Sequence, residues 1–424
     1  MKKYINKLPK EIFDLIRRAR DVVSSNRIPA YLVGGFVRDL ILGAENLDLD
    51  ITVEGDGIKF AEDFCSKLKV KLIRHRRFGT ATVILKPHLK IDFATARRES
   101  YPEPAHLPVV EMGELKDDLF RRDFTINAMA LSINNKNFGQ LIDLFGGRDD
   151  LVGGKIRVLH GLSFIDDPTR ILRAIRFEKR YNFGIEPKTM KYLEEAVRLG
   201  MLEKVEPQRI RDDLTLMLKE KNPLKEIKRL QELTGFSFID KSLSLSKENY
   251  QLLVSAEKQM NWFAESCFKR RQLDTWLIYF MGLLDSLGID VIRDICRRLA
   301  LHRGEEKRIL AYKGIDRKFI LRLSKRNIKP SEIFALFEPL SYEVLILLKA
   351  KYKDRGIQKH IQDFFRAYNG MHIHISGGDL RGLGVMPGPY YQKIFAKVLN
   401  AKLNGLVKTK EDELILVKKS IKTG

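Results

Sequence analysis

Short β-branched runs bounded by Gly, Asp and Pro are the main feature of the first 160 or so residues. The runs YLVGGF, LDLDITVEG, TATVILK and LKIDFATA have the composition and boundaries of β-strands. From about residue 165 the apolar residues recur at helical spacing instead, as in RILRAIRFEKRY and PQRIRDDLTLMLK, and the pattern stays helical onward. We therefore predict an α+β protein, with an N-terminal α/β head followed by an all-helical remainder.

The composition and net charge of the chain indicate its compartment and the kind of molecule that it binds. No apolar run among the 424 residues approaches the roughly 20 that a membrane helix needs, and the N-terminus has no apolar core typical of a signal peptide. The three cysteines are widely spaced, which fits a reducing cytoplasm. A formal net charge of +22 indicates a polyanionic partner, although lysine enrichment for solubility would give the same value.

A glycine pair joins a predicted strand to a predicted helix in LVGGFVRDLILG (residues 32–43). Gly34 and Gly35 allow backbone N–H groups to approach a ligand closely, and the start of a helix favours phosphate. Arg38, on the first turn of that helix, is placed to bind the same phosphates. Packing turns of this kind are common, so the motif is weak evidence when taken alone.

Two carboxylates follow on the next predicted strand. Because side chains alternate along a strand, Asp48 and Asp50 share one face. Like charges this close are unfavourable unless a cation lies between them, and hard oxygen ligands suit Mg²⁺. Two such ions would serve phosphoryl chemistry. Asp92, in KIDFATA, is a candidate third catalytic carboxylate, and a simple hydrogen-bond acceptor at a strand end is an equal alternative.

In their order along the chain, this first motif and four later ones resemble the motifs of the class II tRNA nucleotidyltransferases, or CCA-adding enzymes, which are related to bacterial poly(A) polymerases. The matching segments are LVGGFVRDLILG with LDLD, DLFRRDFTINAMAL (118–131), LIDLFGGRDDLVGGKIRVL (141–159), DDPTRILRAIRF (166–177) and VEPQRIRDDL (205–214). Five motifs in the family's order make the match specific. The last 200 residues resemble the family only loosely.

The resemblance implies a division of the chain and a reaction. The divisions are a nucleotidyltransferase head (1–160), a helical neck that recognises the base (161–222), and a body (223–368) and tail (369–424) that bind tRNA. The implied reaction adds 3′-terminal nucleotides to tRNA from CTP and ATP without a template, and it releases pyrophosphate. The implied partners are Mg²⁺, ATP, CTP and the acceptor and TΨC arms of tRNA.

The resemblance also implies roles for individual residues. Asp48 and Asp50 would hold the metal ions, and Gly35 and Arg38 would contact the triphosphate. Arg122 would bind phosphate or sugar, with Asp123 and Asn127 near the ribose. The implied base-recognition residues are Asp167 and Arg170, with Arg173 and Arg176 completing the nucleotide pocket. Many family members have Glu-Asp where this chain has Asp166-Asp167.

Base selection by such a pair has an independent physical reason. Cytosine and adenine present an amino donor beside a ring-nitrogen acceptor, which a carboxylate beside a guanidinium complements. Guanine and uracil present a carbonyl beside an N–H, so buried groups would be left unpaired. Asp167, Arg170, Arg173 and Arg176 recur every third residue, and we expect them to form a stripe on one helix. A solvated basic face is the alternative.

Two features bear on which relative the chain resembles. The segment ARRESYPEPAHLPVVEMGELKDDL (96–119) has the length of a flexible loop that the family needs to add the final A, which disfavours a CC-only enzyme. His75 stands where poly(A) polymerases carry a glycine, which favours a tRNA enzyme. Full CCA addition and A-only addition both remain open. Because both carboxylates of the metal motif are present, a noncatalytic RNA-binding protein is disfavoured.

Overall fold

The computed structural model describes residues 5, 8–44, 48–66, 68–86, 89–267, 270–325 and 327–422. The chain divides into two compact units, Met1–Phe238 and Ile239–Gly424. The division into a head, neck, body and tail remains a prediction. No helix in the described part of the chain is long and apolar enough to cross a bilayer.

A mixed sheet forms the centre of the first unit. Its strands in the described residues are β1 Ala30–Val33, β2 Leu49–Val53, β3 Lys71–His75, β4 Thr80–Lys86, β5 Leu89–Thr95, β8 Met129–Ser132 and β9 Leu141–Asp143. They lie in the order β3-β4-β5-β2-β1-β8-β9. Strands β2 and β5 pair in parallel, and the other neighbours are antiparallel.

Each of the four strand predictions overlaps a strand of this sheet. The predicted run LDLDITVEG begins at Leu47, which lies outside the described residues. The segment 96–119, which the sequence treats as a loop, instead contains β6 Arg97–Ser100 paired antiparallel with β7 Val109–Met112. Two further short strands, β10 Lys155–Ile156 and β11 Gly184–Ile185, pair in parallel.

Helices cover the sheet and continue to the end of the first unit. The helices that precede the sheet or alternate with its strands along the chain, together with the one that follows β9, are α1 Lys10–Asn26, α2 Gly35–Leu42, α3 Gly57–Cys65, α4 Leu115–Phe120 and α5 Gly147–Val152. After them come α6 Ser163–Asp166, α7 Thr169–Tyr181, α8 Pro187–Arg198, α9 Pro207–Leu218 and α10 Pro223–Thr234. Helix α7 packs against α9 and α10, and it buries Ile171, Leu172 and Ile175 completely or nearly so. The predicted change from strands to helices is confirmed.

The second unit is helical throughout its described elements. They are α11 Lys247–Ser266, α12 Thr275–Leu283, α13 Ile289–Arg298, α14 Arg303–Lys313, α15 Arg317–Leu323, α16 Pro330–Phe337, α17 Tyr342–Lys351, α18 Arg355–Asp363, a π-helical turn Phe364–Tyr368, α19 Gly377–Gly382, α20 Pro389–Leu403 and α21 Lys410–Lys422. Residues 276–283 of α12 and 343–350 of α17 are buried. Because these two helices are buried on all sides, they form the core on which the neighbouring helices pack.

Candidate active site

A polar cleft of about 370 Å³ in the first unit brings together residues from five separate segments of the chain. Of the thirteen residues that the sequence analysis proposes for the site, ten line this cleft: Gly34, Gly35, Arg38, Asp50, Arg122, Asp123, Asn127, Asp167, Arg170 and Arg173. Four further residues complete the lining, namely Glu99, Tyr101, Arg121 and Phe177. Asp48, Asp92 and Arg176 are not among the lining residues.

The glycine pair forms the turn from β1 into α2. Gly34 caps the helix with φ +69° and ψ −135°, a backbone conformation that only glycine adopts readily. A Cβ atom on Gly34 would lie 2.6 Å from Arg122 Nη1, so a side chain there would push into the cleft. Gly35 begins the helix, and its missing side chain leaves the helix N-terminus open toward the cleft.

Arg38 is held rigidly beside this turn. Its Nε and Nη2 donate to the two carboxylate oxygens of Asp39 at 2.8 and 3.0 Å, and its Nη1 donates to Asn127 Oδ1. The guanidinium also lies over the rings of Phe177 and Tyr181, with distances to the ring centroids of 5.4 and 4.9 Å. These contacts fix a buried positive charge at the wall of the cleft.

The carboxylate motif lies at the start of β2. Asp50 is within the strand and partly buried, whereas Asp48 precedes it and is exposed. Asp92 is the register partner of Asp50 on the parallel strand β5. Asp92 accepts hydrogen bonds from the Thr82 hydroxyl and from Lys90 Nζ, the latter at 3.2 Å. Asp92 therefore lies beside Asp50 in the middle of β5. Its role as a third catalytic carboxylate stays a prediction.

Burial and neighbouring charges both act on the Asp50 carboxyl. Burial, and after it the charges of Asp92 and Asp48, raise the pKa of Asp50 to about 6, while the Arg122 guanidinium acts in the opposite direction. No group of three or more His, Cys, Asp or Glu side chains among the described residues is arranged to hold a metal ion. Asp48 and Asp50 carry oxygen donors of the kind that Mg²⁺ prefers, and this ion usually binds through one or two carboxylates beside water and phosphate ligands. Their role as the metal ligands stays a prediction.

Asp118 anchors both arginines of the RRDFTINA motif. Its side chain is fully buried, accepting from Arg121 Nη2 at 2.6 Å and from Arg122 Nη2 at 2.8 Å. Burial alone would raise the pKa of Asp118, but the two guanidinium groups keep it below the usual value. Arg122 Nε is buried and, among the described residues, has no hydrogen-bond partner. The part of the guanidinium that adjoins the glycine turn is Nη1, which lies 2.6 Å from the position of a Cβ on Gly34.

Asp123 and Arg173 form a second buried pair. Arg173 Nε donates to Asp123 Oδ2 at 2.9 Å, and Asn127 Nδ2 donates to Asp123 Oδ1 at 2.8 Å. Burial would raise the pKa of Asp123, but Arg173 and Asn127 outweigh it and lower that pKa to about 2. The same ion pair raises the pKa of Arg173. Asp123 is thus ionised, and its carboxylate links Asn127 to Arg173.

Asp167 and Arg170 are neighbours, but Asp167 is not on the helix. The expected stripe on one helix is wrong at this position, because α7 begins at Thr169 and Asp167 has φ −132° and ψ 89°. The physical reason is Pro168, since the residue before a proline is disfavoured in helical conformation. Asp167 Oδ2 lies 3.8 Å from Arg170 Nε, and its Oδ1 accepts from the hydroxyl of Thr169 at 2.7 Å.

Arg170 is nearly fully buried and is oriented by two further bonds. Its Nη1 donates to Ser163 Oγ at 3.1 Å, and its Nη2 donates to the carbonyl of Arg121 at 2.8 Å. Arg176, six residues further along α7, lies near Glu220 instead, with 4.0 Å between Arg176 Nε and Glu220 Oε1. Its nitrogen Nε has no hydrogen-bond partner among the described residues, and burial lowers its pKa.

Sequence reasoning missed the four additional lining residues and Arg209. Phe177 is seven residues from Arg170, which is two helical turns, so helical spacing could have identified it. Arg121 adjoins Arg122 in the same motif. Glu99 and Tyr101 reach the cleft only because β6 pairs with β7, which no local signal indicated. Arg209, on α9, donates to Asp167 Oδ1 at 2.6 Å.

A comparison with protein-family models matches residues 30–157 to the poly A polymerase head domain. An A-adding tRNA nucleotidyltransferase from Geobacter sulfurreducens is 38% identical over 96% of this chain, which spans 47% of that longer protein. An A-adding tRNA nucleotidyltransferase from Halalkalibacterium halodurans is 30% identical over 96% of this chain and 92% of its own length.

A solved structure shows the same likeness over nearly all of the chain. The Thermotoga maritima CCA-adding enzyme complexed with tRNA superposes with a TM-score of 0.72 at 34% identity, covering 99% of this chain and 98% of the other. Sequence and fold therefore agree along the whole length. The chain belongs to the family of tRNA nucleotidyltransferases and poly(A) polymerases.

Proposed function

We propose that the chain is a tRNA nucleotidyltransferase that transfers nucleotides from CTP and ATP to the 3′ end of tRNA without a template. One observation carries the proposal. A single cleft contains Asp50, near the start of β2, and the pair of Asp167, just before α7, and Arg170, on α7. Asp50 can serve phosphoryl transfer, and the Asp167–Arg170 pair can recognise a base.

The triphosphate would lie at the glycine turn. The open N-terminus of α2 presents backbone N–H groups, and anions are stabilised at such helix ends. Arg122 lines the cleft, and its Nη1 adjoins the glycine turn, from where it would donate to a phosphate or sugar oxygen. Arg38 has each of its nitrogens bonded to Asp39 or Asn127, so it would act mainly as a fixed positive charge. Preorganised charge of this kind does not need to rearrange during the reaction.

Asp48 and Asp50 would hold Mg²⁺, since the family implies a divalent metal. When bound, the metal would activate the attacking 3′-hydroxyl and neutralise charge on the leaving pyrophosphate. Asp92 would support Asp50 from β5, held by Thr82 and Lys90. The protein's own part is to orient these carboxylates toward the α-phosphorus.

The base would lie against Asp167 and Arg170. Asp167 Oδ2 would accept from the amino group of cytosine or adenine, and Arg170 would donate to the neighbouring ring nitrogen. Asp123 and Asn127 would contact the ribose, and Arg173 would keep Asp123 ionised and in place. Uracil and guanine would leave these buried groups unpaired. Such a mismatch can lower kcat/KM for UTP and GTP by roughly 10⁴-fold relative to CTP and ATP.

The tRNA would bind through charge and shape. The net charge of +22 suits a polyanion, and RNA helices are recognised mostly by backbone and shape. We propose that the body and tail contact the acceptor and TΨC arms, in line with the Thermotoga relative whose structure is a complex with tRNA.

A-only addition is a second candidate, and a specific observation favours it. The Geobacter and Halalkalibacterium relatives described above are both A-adding enzymes, whereas the Thermotoga structure is of a CCA-adding enzyme. The base-recognition pair suits both cytosine and adenine, so it does not separate the two activities.

The test is an extension gel with Mg²⁺ and three forms of one tRNA, ending at the discriminator base, at C or at CC. Each is incubated with CTP alone, ATP alone or both. Addition of C, C and A to the shortest form would show full CCA addition. Extension of only the CC form, by one A, would show the A-adding activity. A long ladder of A on any RNA would overturn the proposal in favour of a poly(A) polymerase.

A further inference from the structure

Tyr101 lines the cleft together with Asp167 and Arg170, and neither the motifs nor the roles above use it. It directly follows β6 and is partly buried. Its place in the lining puts Tyr101 in the same cleft of about 370 Å³ as the base-recognition pair. The hydrogen bonds that the Tyr101 hydroxyl can still make decide what it can contribute to the cleft.

The proton of the Tyr101 hydroxyl is already in use. The hydroxyl donates to Glu99 Oε2 at 3.1 Å. The Glu99 carboxylate is nearly buried, and its Oε1 is paired with Arg97 Nη2 at 2.7 Å and with Arg121 Nη1 at 3.2 Å. An ionised carboxylate can only accept hydrogen bonds, so Glu99 keeps the hydroxyl proton directed at itself. Toward the cleft, the Tyr101 oxygen therefore offers only acceptor lone pairs.

The same network fixes Tyr101 relative to Arg170. Arg121, which pairs with Glu99, also receives a hydrogen bond at its carbonyl from Arg170 Nη2 at 2.8 Å. Asp118 holds the Arg121 guanidinium from the buried side. Tyr101 and Arg170 are thus linked through Glu99 and Arg121, and the position of the phenolic oxygen is set by the groups that position the base-recognition arginine.

We propose that Tyr101 is a specificity-determining residue whose oxygen accepts a hydrogen bond from the exocyclic amino group of the incoming cytosine or adenine. This inference rests on the proposed function. An amino group carries two N–H donors, and a single carboxylate oxygen of Asp167 accounts for one of them. Tyr101 takes the other. Uracil and guanine place a carbonyl oxygen there, so two acceptors would face each other and a buried group would stay unpaired.

The direct test compares Tyr101→Phe with the wild type, using tRNA ending in CC. The substrates are ATP and purine riboside 5′-triphosphate, which lacks the amino group. We expect Tyr101→Phe to lower kcat/KM for ATP about tenfold and to leave kcat/KM for the amino-free analogue almost unchanged, because a lost contact affects only the substrate that makes it. Tyr192→Phe, on α8 and outside the cleft lining, is the matched control and should change neither value.

Every other result would overturn either this inference or the proposed function. An equal loss for ATP and the analogue would mean that Tyr101 contacts ribose or phosphate, or only supports the fold, and would overturn the inference. No loss for either would overturn it as well. If the wild type adds nothing to the tRNA, the proposed function itself fails. If the wild type adds A normally and only the Tyr101→Phe pattern is missing, the proposed function stands and this inference fails. Thermal midpoints of both variants confirm that each is folded.

Discussion

Arg209 Nη2 lies 2.6 Å from Asp167 Oδ1, and Nη1 of the same guanidinium donates to the carbonyl of Ala105 at 3.3 Å. Arg209 therefore connects three parts of the chain: helix α9, the residue proposed to recognise the base, and the segment between β6 and β7. Because Oδ1 is used by Arg209 and Thr169, the carboxylate is oriented with Oδ2 toward Arg170.

Loss of Arg209 should therefore weaken base choice more than catalysis. We expect Arg209→Ala to lower the ratio of kcat/KM for ATP over UTP about tenfold, because Asp167 loses a charged hydrogen bond that fixes its orientation. The measurement is single-nucleotide addition with each triphosphate. Arg198→Ala, whose side chain is 75% exposed, is the control and should leave the ratio unchanged. An unaltered ratio in Arg209→Ala would show that Asp167 is positioned without it.

Arg170 and Arg176, both on α7, should differ in their effect on base discrimination. Arg170 lines the cleft and Arg176 does not. Arg170→Ala should relax discrimination between CTP and UTP at least tenfold, because its donors complement cytosine and not uracil. Arg176→Ala should leave that discrimination within about twofold of wild type, since Arg176 does not line the cleft and its Nε lies 4.0 Å from Glu220 Oε1. Addition assays with CTP and UTP on a suitable tRNA measure both ratios, and equal effects of the two variants would contradict the assignment.

The glycine turn allows a matched comparison. Gly34 has φ +69° and a Cβ there would meet Arg122, whereas Gly43 has φ +72° and nothing lies within 4 Å of its Cβ position. We expect Gly43→Ala to cost about 1 kcal/mol of unfolding free energy and to leave activity intact. Gly34→Ala should cost about 2 kcal/mol or more and also lower kcat, because Arg122 must move. Urea unfolding and addition rates test this, and similar rates in the two variants would exclude the proposed clash.

The buried pair of Asp123 and Arg173 predicts a pH-dependent stability. The folded pKa of Asp123 is lowered to about 2, so its ion pair stabilises the protein above the unfolded pKa, near 4, and this stabilisation is lost as pH falls toward 2. At pH 7 we expect Asp123→Asn to be less stable than wild type by about 2 kcal/mol or more. The difference should shrink steadily below pH 4. Urea titrations at several pH values measure it, and a difference independent of pH would contradict the ion-pair account.

Local signals were sufficient for the parts of the site that lie close together in sequence. The strand, glycine turn and helix around Gly34 and the carboxylate of Asp50 follow from composition and alternation, because backbone geometry over a few residues decides them. The position of Asp167 outside α7 also had a local cause in Pro168, which the three-residue spacing obscured.

Other parts of the site depend on the angle between residues around a helix and on the pairing of strands. A step of three residues falls 60° short of a full helical turn, so by Arg176 the stripe has turned 120° away from Arg170, while Phe177 returns to the face of Arg170. Glu99 and Tyr101 reach the cleft through the pairing of β6 with β7. Hydrogen bonds between distant segments, such as that of Arg209 with Asp167, cannot be read from either segment alone.

The most direct test of the central claim is template-free addition by the wild type and Asp50→Ala. A tRNA ending in CC is incubated with Mg²⁺ and ATP, CTP, UTP or GTP separately, and tRNA binding is measured in parallel. We predict that the wild type adds one A from ATP and almost nothing from UTP or GTP. Asp50→Ala should bind tRNA normally but lose about 10³-fold or more in rate, whereas Asp290→Ala, with an 89% exposed side chain, should match the wild type. Substantial residual addition by Asp50→Ala, or indiscriminate addition by the wild type, would contradict the account.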